Sequence, residues 1–129
     1  MVRRLSEMLA EANVAVESLS AEEALKLAGD PGALFVDVRE RHERESSGTI
    51  PGAVHAPRGF LEFIADREGP MHDHAFDAGK RLVVFCASGS RSALAAKTLK
   101  DMGFEDVATI AGGFKAWREA GGGTQAVEE

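Results

Sequence analysis

The chain has 129 residues, 44% of them hydrophobic and 28% charged, which is the composition of one ordinary globular domain over residues 1–129. Its formal net charge of −6 argues against nucleic acid and anionic membranes as partners. No stretch approaches the roughly 20 apolar residues of a membrane span, and Ser6, Glu7 and Glu11 interrupt the segment where a secretory signal would lie.

The first half of the chain alternates between helical and extended patterns. We predict an N-terminal helical extension within residues 1–12 and a short strand over residues 14–16. Ser20 and Glu23 have the spacing of a capping box, which predicts a helix from Ala21 to the turn at residues 29–32. Further along, an apolar run over residues 33–36 predicts a buried strand, and residues 41–46 predict a short exposed helix.

The second half continues this alternation. The predicted elements are a short strand at residues 54–55, a helix over 60–65, a long loop over 66–79, strands over 82–85 and 107–110, and helices from about Ser92 to Met102 and over 114–120. The apolar run 82–85 is the best candidate for the centre of the sheet. Residues 122–129 are rich in glycine and then acidic, which predicts a flexible tail.

Strands that alternate with helices predict an α/β domain with a mainly parallel sheet of about five strands and helices on both faces. Ligands of such sheets bind beyond the carboxyl ends of the strands. Cys86 and Asp37 both follow predicted buried strands and so both lie at that edge.

Cys86 is the only cysteine of the chain, and the small residues Ala87, Ser88, Gly89 and Ser90 separate it from Arg91 and a predicted helix. Backbone amides of such a loop can surround the sulfur, and the positive end of the helix dipole favours the thiolate. A single cysteine forms no internal disulfide, which predicts a free thiol in the reducing cytoplasm. A Cys86 side chain sealed in the interior, with the neighbouring amides turned elsewhere, would contradict this interpretation.

Five blocks in this order resemble the rhodanese-like domain family. They are Asp-Val-Arg-Glu at 37–40, Gly-Thr-Ile-Pro-Gly-Ala at 48–53, Cys-Ala-Ser-Gly-Ser-Arg-Ser at 86–92, Gly-Phe at 103–104, and Gly-Gly-Phe at 112–114 with Trp117. The resemblance covers residues 14–121. It implies a single-domain sulfurtransferase that moves a sulfane sulfur from thiosulfate, mercaptopyruvate or a persulfide to a thiophilic acceptor through a Cys86 persulfide.

The resemblance also implies roles for particular residues. Cys86 is the catalytic match, and residues 87–91 match the loop that binds the transferred sulfur and the donor; Ser88 and Ser90 are candidates to donate hydroxyl hydrogen bonds, with an N-cap role equally open for Ser90. Asp37 and Arg39 are expected to brace the fold near the site. Arg58 is our candidate for a second residue that attracts the anion, with a solvated surface arginine as the alternative.

Arg91 stands in the first turn of a predicted helix, where its charge opposes the helix dipole. Pairing with a carboxylate or with an anionic donor would account for it. Ala87 departs from many family members, which have a basic residue there, and this weakens the case for thiosulfate as the natural donor.

Two other functions remain open at this point. One is a cysteine-based phosphatase or arsenate reductase on the same scaffold, although such phosphatases have five residues between cysteine and arginine and this chain has four. The other is a non-catalytic regulatory binding module. The expected partners are a small sulfur donor, a thiol or cyanide acceptor, and a protein thiol as a further acceptor.

We expect no organic cofactor and no metal. His72 and His74 form a His-x-His pair in the predicted loop 66–79, but no second ligand pair stands at a suitable spacing.

Overall fold

The computed structural model describes residues 1–128. The five strands are β1 (Glu17–Leu19), β2 (Ala33–Asp37), β3 (Val54–His55), β4 (Arg81–Phe85) and β5 (Val107–Ile110). The six helices are α1 (Leu5–Ala15), α2 (Ala21–Leu25), α3 (Arg41–Ser47), α4 (Leu61–Ala65), α5 (Ser90–Asp101) and α6 (Gly113–Glu119). Two 3₁₀ helices cover Arg58–Phe60 and His74–Asp77.

The strands form one sheet in the order β1-β5-β4-β2-β3, and every pair of neighbouring strands is parallel. The α/β class and the five-stranded parallel sheet are therefore confirmed. Strand β4 lies at the centre, as its apolar sequence predicts. Because the strands are parallel, their carboxyl ends share one edge of the sheet.

Alternate residues of the central strands enter two separate cores, one on each face of the sheet. Val36 and Val84 pack with α4 and α5, whereas Phe35 and Val83 pack with α2 and α6. Trp117 of α6 lies edge-on to Phe35 at 5.5 Å between ring centroids. Among residues 1–128, no helix is long and apolar enough to cross a membrane.

The structure differs from the sequence prediction near the start of the chain. Helix α1 runs through residues 14 and 15, so the first strand is β1 rather than the predicted 14–16. In the segment predicted as a tail, Gly123 accepts a hydrogen bond from the Trp117 indole and Gln125 pairs with Thr49 through two backbone bonds, whereas residue 129 lies outside the described residues. Helical spacing predicts Met102 on the inner face of its helix, but it follows α5 and is 39% exposed.

A buried ion pair closes the carboxyl end of β2. The Asp37 carboxylate accepts hydrogen bonds from the Arg39 side chain at 3.0 and 2.9 Å, from Arg44 at 3.1 Å and from Thr49 at 2.9 Å. Arg39 also donates to the Gly48 carbonyl at 2.6 Å. The charges of Asp37 and Arg39 are fully buried but each is satisfied by several partners, so the pair fixes the segment that follows β2.

Removing one charge of this pair should destabilise the domain. Asp37→Asn leaves the buried Arg39 guanidinium without its counter-ion, and we expect a loss of about 3–5 kcal/mol in the free energy of unfolding. Asp101→Asn, which removes an exposed partner of Lys97, should cost at most about 1 kcal/mol. Urea unfolding of both variants checks this, and equal losses would contradict it.

Candidate active site

The loop between β4 and α5 carries Cys86. Strand β4 ends at Phe85, and Gly89 occupies the N-cap position of α5 with a φ of +121°. That backbone angle favours glycine, so the chain can reverse over only a few residues before the helix begins. Cys86 is therefore held between a buried strand and a helix N-terminus.

Backbone amides converge on the Cys86 sulfur. The amide of Gly89 donates to Sγ at 3.1 Å and the amide of Ser92 at 3.4 Å. The Ser92 hydroxyl lies 3.5 Å from Sγ and donates to the Gly89 carbonyl at 3.0 Å. The two amides present positive partial charge to one sulfur atom, and the Cys86 thiol donates to the Ser92 hydroxyl oxygen.

Cys86 is only 1% exposed, so the structure buries the side chain while the amides point towards it. Burial raises the pKa of the Cys86 thiol. The hydrogen bond with the Ser92 side chain and those from the amides of Ser92, Gly89 and Ser88 outweigh burial, and the pKa lies below its ordinary value. The site thus favours a thiolate in a pocket closed to bulk water.

The N-terminus of α6 holds the opposite side of the loop. The Phe114 amide donates to the Cys86 carbonyl at 2.8 Å, and the Lys115 amide donates to the Ala87 carbonyl at 3.2 Å. Gly113 makes this approach possible, since a Cβ at that position would lie 2.6 Å from the Cys86 carbonyl oxygen. Its φ of +65° also favours glycine.

Arg91 forms a two-pronged ion pair with Glu43 of α3, with N–O distances of 2.7 and 2.9 Å. The hydrogen bonds from Arg91 lower the pKa of Glu43 to about 2, and Glu43 in turn raises the pKa of Arg91. Of the two explanations offered by the sequence, the structure contains the pairing with a carboxylate.

A cleft of about 610 Å³ opens beside the loop at Ala87. Helices α3 and α6 form its two walls, and it is lined by Arg39, His42, Glu43, Ser46, Ser47, Ala87, Phe114, Lys115, Arg118 and Glu119. Lys115 and Arg118 lie one helical turn apart and are exposed, and neither forms an ion pair with a carboxylate of residues 1–128. They are the positive charges of this cleft without a carboxylate partner among residues 1–128, and the exposed carboxylate of Glu119 lines the same cleft.

The structure also places the other predicted site residues, Arg58, Ser88 and Ser90, relative to the cleft and the sulfur. Arg58 does not line this cleft; it donates to Glu62 at 3.0 Å and to Thr98 at 3.2 Å. Helix α5 begins at Ser90 with Gly89 as its N-cap, so the N-cap role considered for Ser90 is wrong. It is Ser92, rather than Ser88 or Ser90, whose hydroxyl lies next to the sulfur.

Sequence reasoning missed several residues that the fold brings to the site, namely Glu43, Ser92, Gly113, Lys115 and Arg118. The Gly112-Gly113 pair gave a usable signal, because two adjacent glycines before a helix indicate a close backbone approach as well as a turn. Glu43 gave none, since its contact with Arg91 joins positions 48 residues apart.

The family model of the rhodanese-like domain matches residues 20–120. The chain belongs to the rhodanese-like domain family. A thiosulfate sulfurtransferase, GlpE of Pseudomonas savastanoi, is 38% identical over 90 residues, which are 69% of this chain and 76% of that protein. YrkF of Bacillus subtilis, a candidate sulfur carrier protein, is 34% identical over 92 residues, which are 71% of this chain, and the match spans 45% of that relative.

One solved structure is similar over nearly the whole chain. It is a protein of unknown function from Rhodopseudomonas palustris, described as a possible tyrosine phosphatase, with 44% sequence identity and a TM-score of 0.92. The match covers 97% of this chain and 96% of that one. The fold of this chain is therefore shared with a protein described as a possible tyrosine phosphatase.

The contact at Gly113 should control the reactivity of Cys86. In Gly113→Ala the new Cβ collides with the Cys86 carbonyl, displacing the loop amides, and we expect the pH midpoint of Cys86 alkylation by iodoacetamide to rise. Gly121→Ala is the matched control, since Gly121 also has a positive φ of +92° but a Cβ there would have no neighbouring atom within 4 Å. It should cost about 1–2 kcal/mol of stability and leave the alkylation midpoint unchanged; equal midpoints in both variants would contradict the role of Gly113.

Proposed function

We propose that this protein is a sulfurtransferase that carries a sulfane sulfur as a persulfide on Cys86. The observation that supports this most directly is the convergence of the Gly89 and Ser92 amides on a single sulfur atom. The same donors suit a persulfide anion, because charge-assisted hydrogen bonds of this kind contribute about 1.5–3 kcal/mol each. Rhodanese-like relatives named as thiosulfate sulfurtransferases support the reaction class.

The reaction proceeds in two half-reactions. In the first, the Cys86 thiolate attacks the outer sulfur of the donor; a new S–S bond forms, the donor's own bond to that sulfur breaks, and the leaving group takes the electron pair. In the second, an acceptor thiolate or cyanide attacks the outer sulfur of the persulfide, and Cys86 leaves as the thiolate. No net oxidation or reduction of the enzyme occurs, and no cofactor is required.

The loop favours sulfur over phosphate. Four residues separate Cys86 from Arg91, and the side chain of Arg91 is occupied by Glu43. A phosphatase loop needs amides and an arginine directed at three phosphate oxygens, whereas here two amides are already directed at Sγ. Phosphate hydrolysis is therefore the second candidate, supported by the description of the Rhodopseudomonas palustris protein.

The donor binds in the cleft at Ala87. Because Glu43 neutralises Arg91, the free positive charge there comes from Lys115 and Arg118. These two side chains would attract an anionic donor such as thiosulfate or mercaptopyruvate, in place of the basic residue that Ala87 lacks. Sγ is buried, so the loop or the Cys86 side chain has to move for the donor to reach it. A thiol that works in this way requires a reducing compartment, which is why we assign the protein to the cytoplasm.

Mass spectrometry tests the persulfide. After incubation with thiosulfate or mercaptopyruvate, the intact protein should gain one sulfur atom, and the gain should disappear on addition of cyanide, which forms thiocyanate. Cys86→Ser should show no gain under the same conditions. The absence of added sulfur with every sulfane donor would overturn the proposal, and turnover of an aryl phosphate in that case would favour the phosphatase.

Removing the positive charges of the cleft should weaken the use of an anionic donor. For Lys115→Ala/Arg118→Ala we expect the KM for thiosulfate to rise about tenfold, since about 1.4 kcal/mol of binding corresponds to that factor. The rate of Cys86 alkylation by iodoacetamide, an uncharged reagent, should stay within a factor of about two. Lys80→Ala, an exposed lysine just before β4, is the matched control; an equal loss with thiosulfate and with iodoacetamide would contradict an electrostatic role.

A further inference from the structure

Three side chains of the segment 66–79 meet at its 3₁₀ helix. His72, His74 and Asp77 each place one potential metal-ligand atom within 4.8 Å of the other two. The Asp77 Oδ2 atom lies 2.9 Å from Nε2 of His72 and 3.2 Å from Nδ1 of His74. Two imidazoles therefore share one carboxylate oxygen.

The hydrogen bonds of His72 show that a cation is needed between its ring and the Asp77 carboxylate. Its Nδ1 lies 2.9 Å from the Ile64 carbonyl oxygen, which only accepts, so Nδ1 carries a hydrogen. In a neutral ring, Nε2 then presents a lone pair to the Asp77 carboxylate, which also only accepts. Two acceptors at 2.9 Å repel each other unless a proton or a metal ion lies between them.

The surrounding backbone holds these groups in place. Asp73 caps the 3₁₀ helix by accepting from the Ala75 amide at 2.9 Å, and Phe76 is buried against Phe104. The His72 side chain is only 5% exposed, whereas His74 is 90% exposed and forms the open side of the cluster. When a histidine binds a metal ion through one ring nitrogen, the other usually donates to a carbonyl or carboxylate, which orients the ring. His72 donates to the Ile64 carbonyl in this way.

We propose that His72, His74 and Asp77 bind a divalent transition-metal ion such as Zn²⁺. The ligand atoms are Nε2 of His72, Nδ1 of His74 and Oδ2 of Asp77, with water to complete the coordination. Histidine and carboxylate ligands suit Zn²⁺, and tetrahedral ligand atoms lie roughly 3.3 Å apart. This is close to the 2.9 and 3.2 Å that separate Asp77 Oδ2 from the two ring nitrogens.

The second Asp77 oxygen already has a partner that fits this arrangement. Arg67 lies 3.1 Å from Oδ1, so the carboxylate can give Oδ2 to the metal and keep Oδ1 on the guanidinium. Arg67 is well exposed, and its screened charge is a weak competitor for the ion.

The site is separate from the sulfur chemistry. Segment 66–79 precedes β4, whereas Cys86 follows it, so the two sites lie at opposite ends of the same central strand. A metal ion here would tie the 3₁₀ helix to the end of α4 through His72 and Ile64. Its role is to stabilise this segment, and it does not depend on the function proposed above.

Protons compete with the metal for the same nitrogens. The hydrogen bond that the protonated His72 ring donates to Asp77 raises the pKa of His72, with further contributions from the Ile64 carbonyl and Asp73. Arg67 is the positive group facing the cluster. Metal affinity should therefore fall as the pH drops through the range where His72 becomes protonated.

The test uses Cys86→Ser protein, because the Cys86 thiolate would itself bind Zn²⁺. We expect this chelator-treated protein to bind one equivalent of Zn²⁺ in equilibrium dialysis at pH 7.5, and to bind it more weakly at pH 5.5. Zn²⁺ should also raise its Tm, whereas Mg²⁺, which avoids imidazole ligands, should not.

Two further variants on this background separate ligand loss from misfolding. His74→Ala removes an exposed side chain and should weaken Zn²⁺ binding at least about tenfold without changing the metal-free Tm. His42→Ala, a histidine of α3 outside the cluster, should bind Zn²⁺ unchanged. No stoichiometric Zn²⁺, or equal binding in the His74 variant, would overturn the proposal and leave a proton as the only cation at this site.

Discussion

Two backbone hydrogen bonds between α6 and the loop after β4 determine the geometry of the site. The Phe114 and Lys115 amides hold the Cys86 and Ala87 carbonyls against α6. Because the peptides are planar and trans, the N–H groups of Ala87 and Ser88 point away from those carbonyls, and the Ser88 amide is one of the groups that lower the pKa of Cys86. The electrostatics of Cys86 thus depend on a helix that is distant in sequence. Gly113 is the residue that lets the two segments approach so closely.

Helix α6 also joins the site to the buried charges of β2. The ring of Phe114 lies 4.4 Å beneath the Arg39 guanidinium, which is held by Asp37, and Trp117 of the same helix packs on Phe35. A change that loosens the buried ion pair will therefore disturb the element that orients the loop. Stability and thiol reactivity are coupled here through one helix.

Local patterns in the sequence predict much of the fold but less of the site. The apolar runs at β2, β4 and β5 identify the central strands, and the small residues after Cys86 identify the loop. The same patterns misplace the N-terminal strand. Val14 and Ala15 are apolar, and apolar residues suit a buried strand as well as the helix α1 to which these two belong. They also miss Glu43 and Asp77 as partners, because these roles depend on tertiary contacts and on a 3₁₀ helix in a segment without hydrophobic periodicity.

Two kinds of group give the site its positive electrostatic potential, namely backbone amides near the sulfur and exposed cationic side chains in the cleft. The Ser92 amide is buried with the sulfur and the Gly89 amide is partly buried, so solvent ions screen these two groups less than exposed charges. Lys115 and Arg118 are exposed in the cleft, where ordinary salt reduces their attraction for an anion. Glu43 holds Arg91, and Cys86 adds to the interactions that raise the Arg91 pKa. Under the sulfurtransferase function proposed above, the loop amides stabilise the thiolate while the side chains of α6 attract the donor. The identity of the donor could then change through these side chains without altering the loop that carries the sulfur.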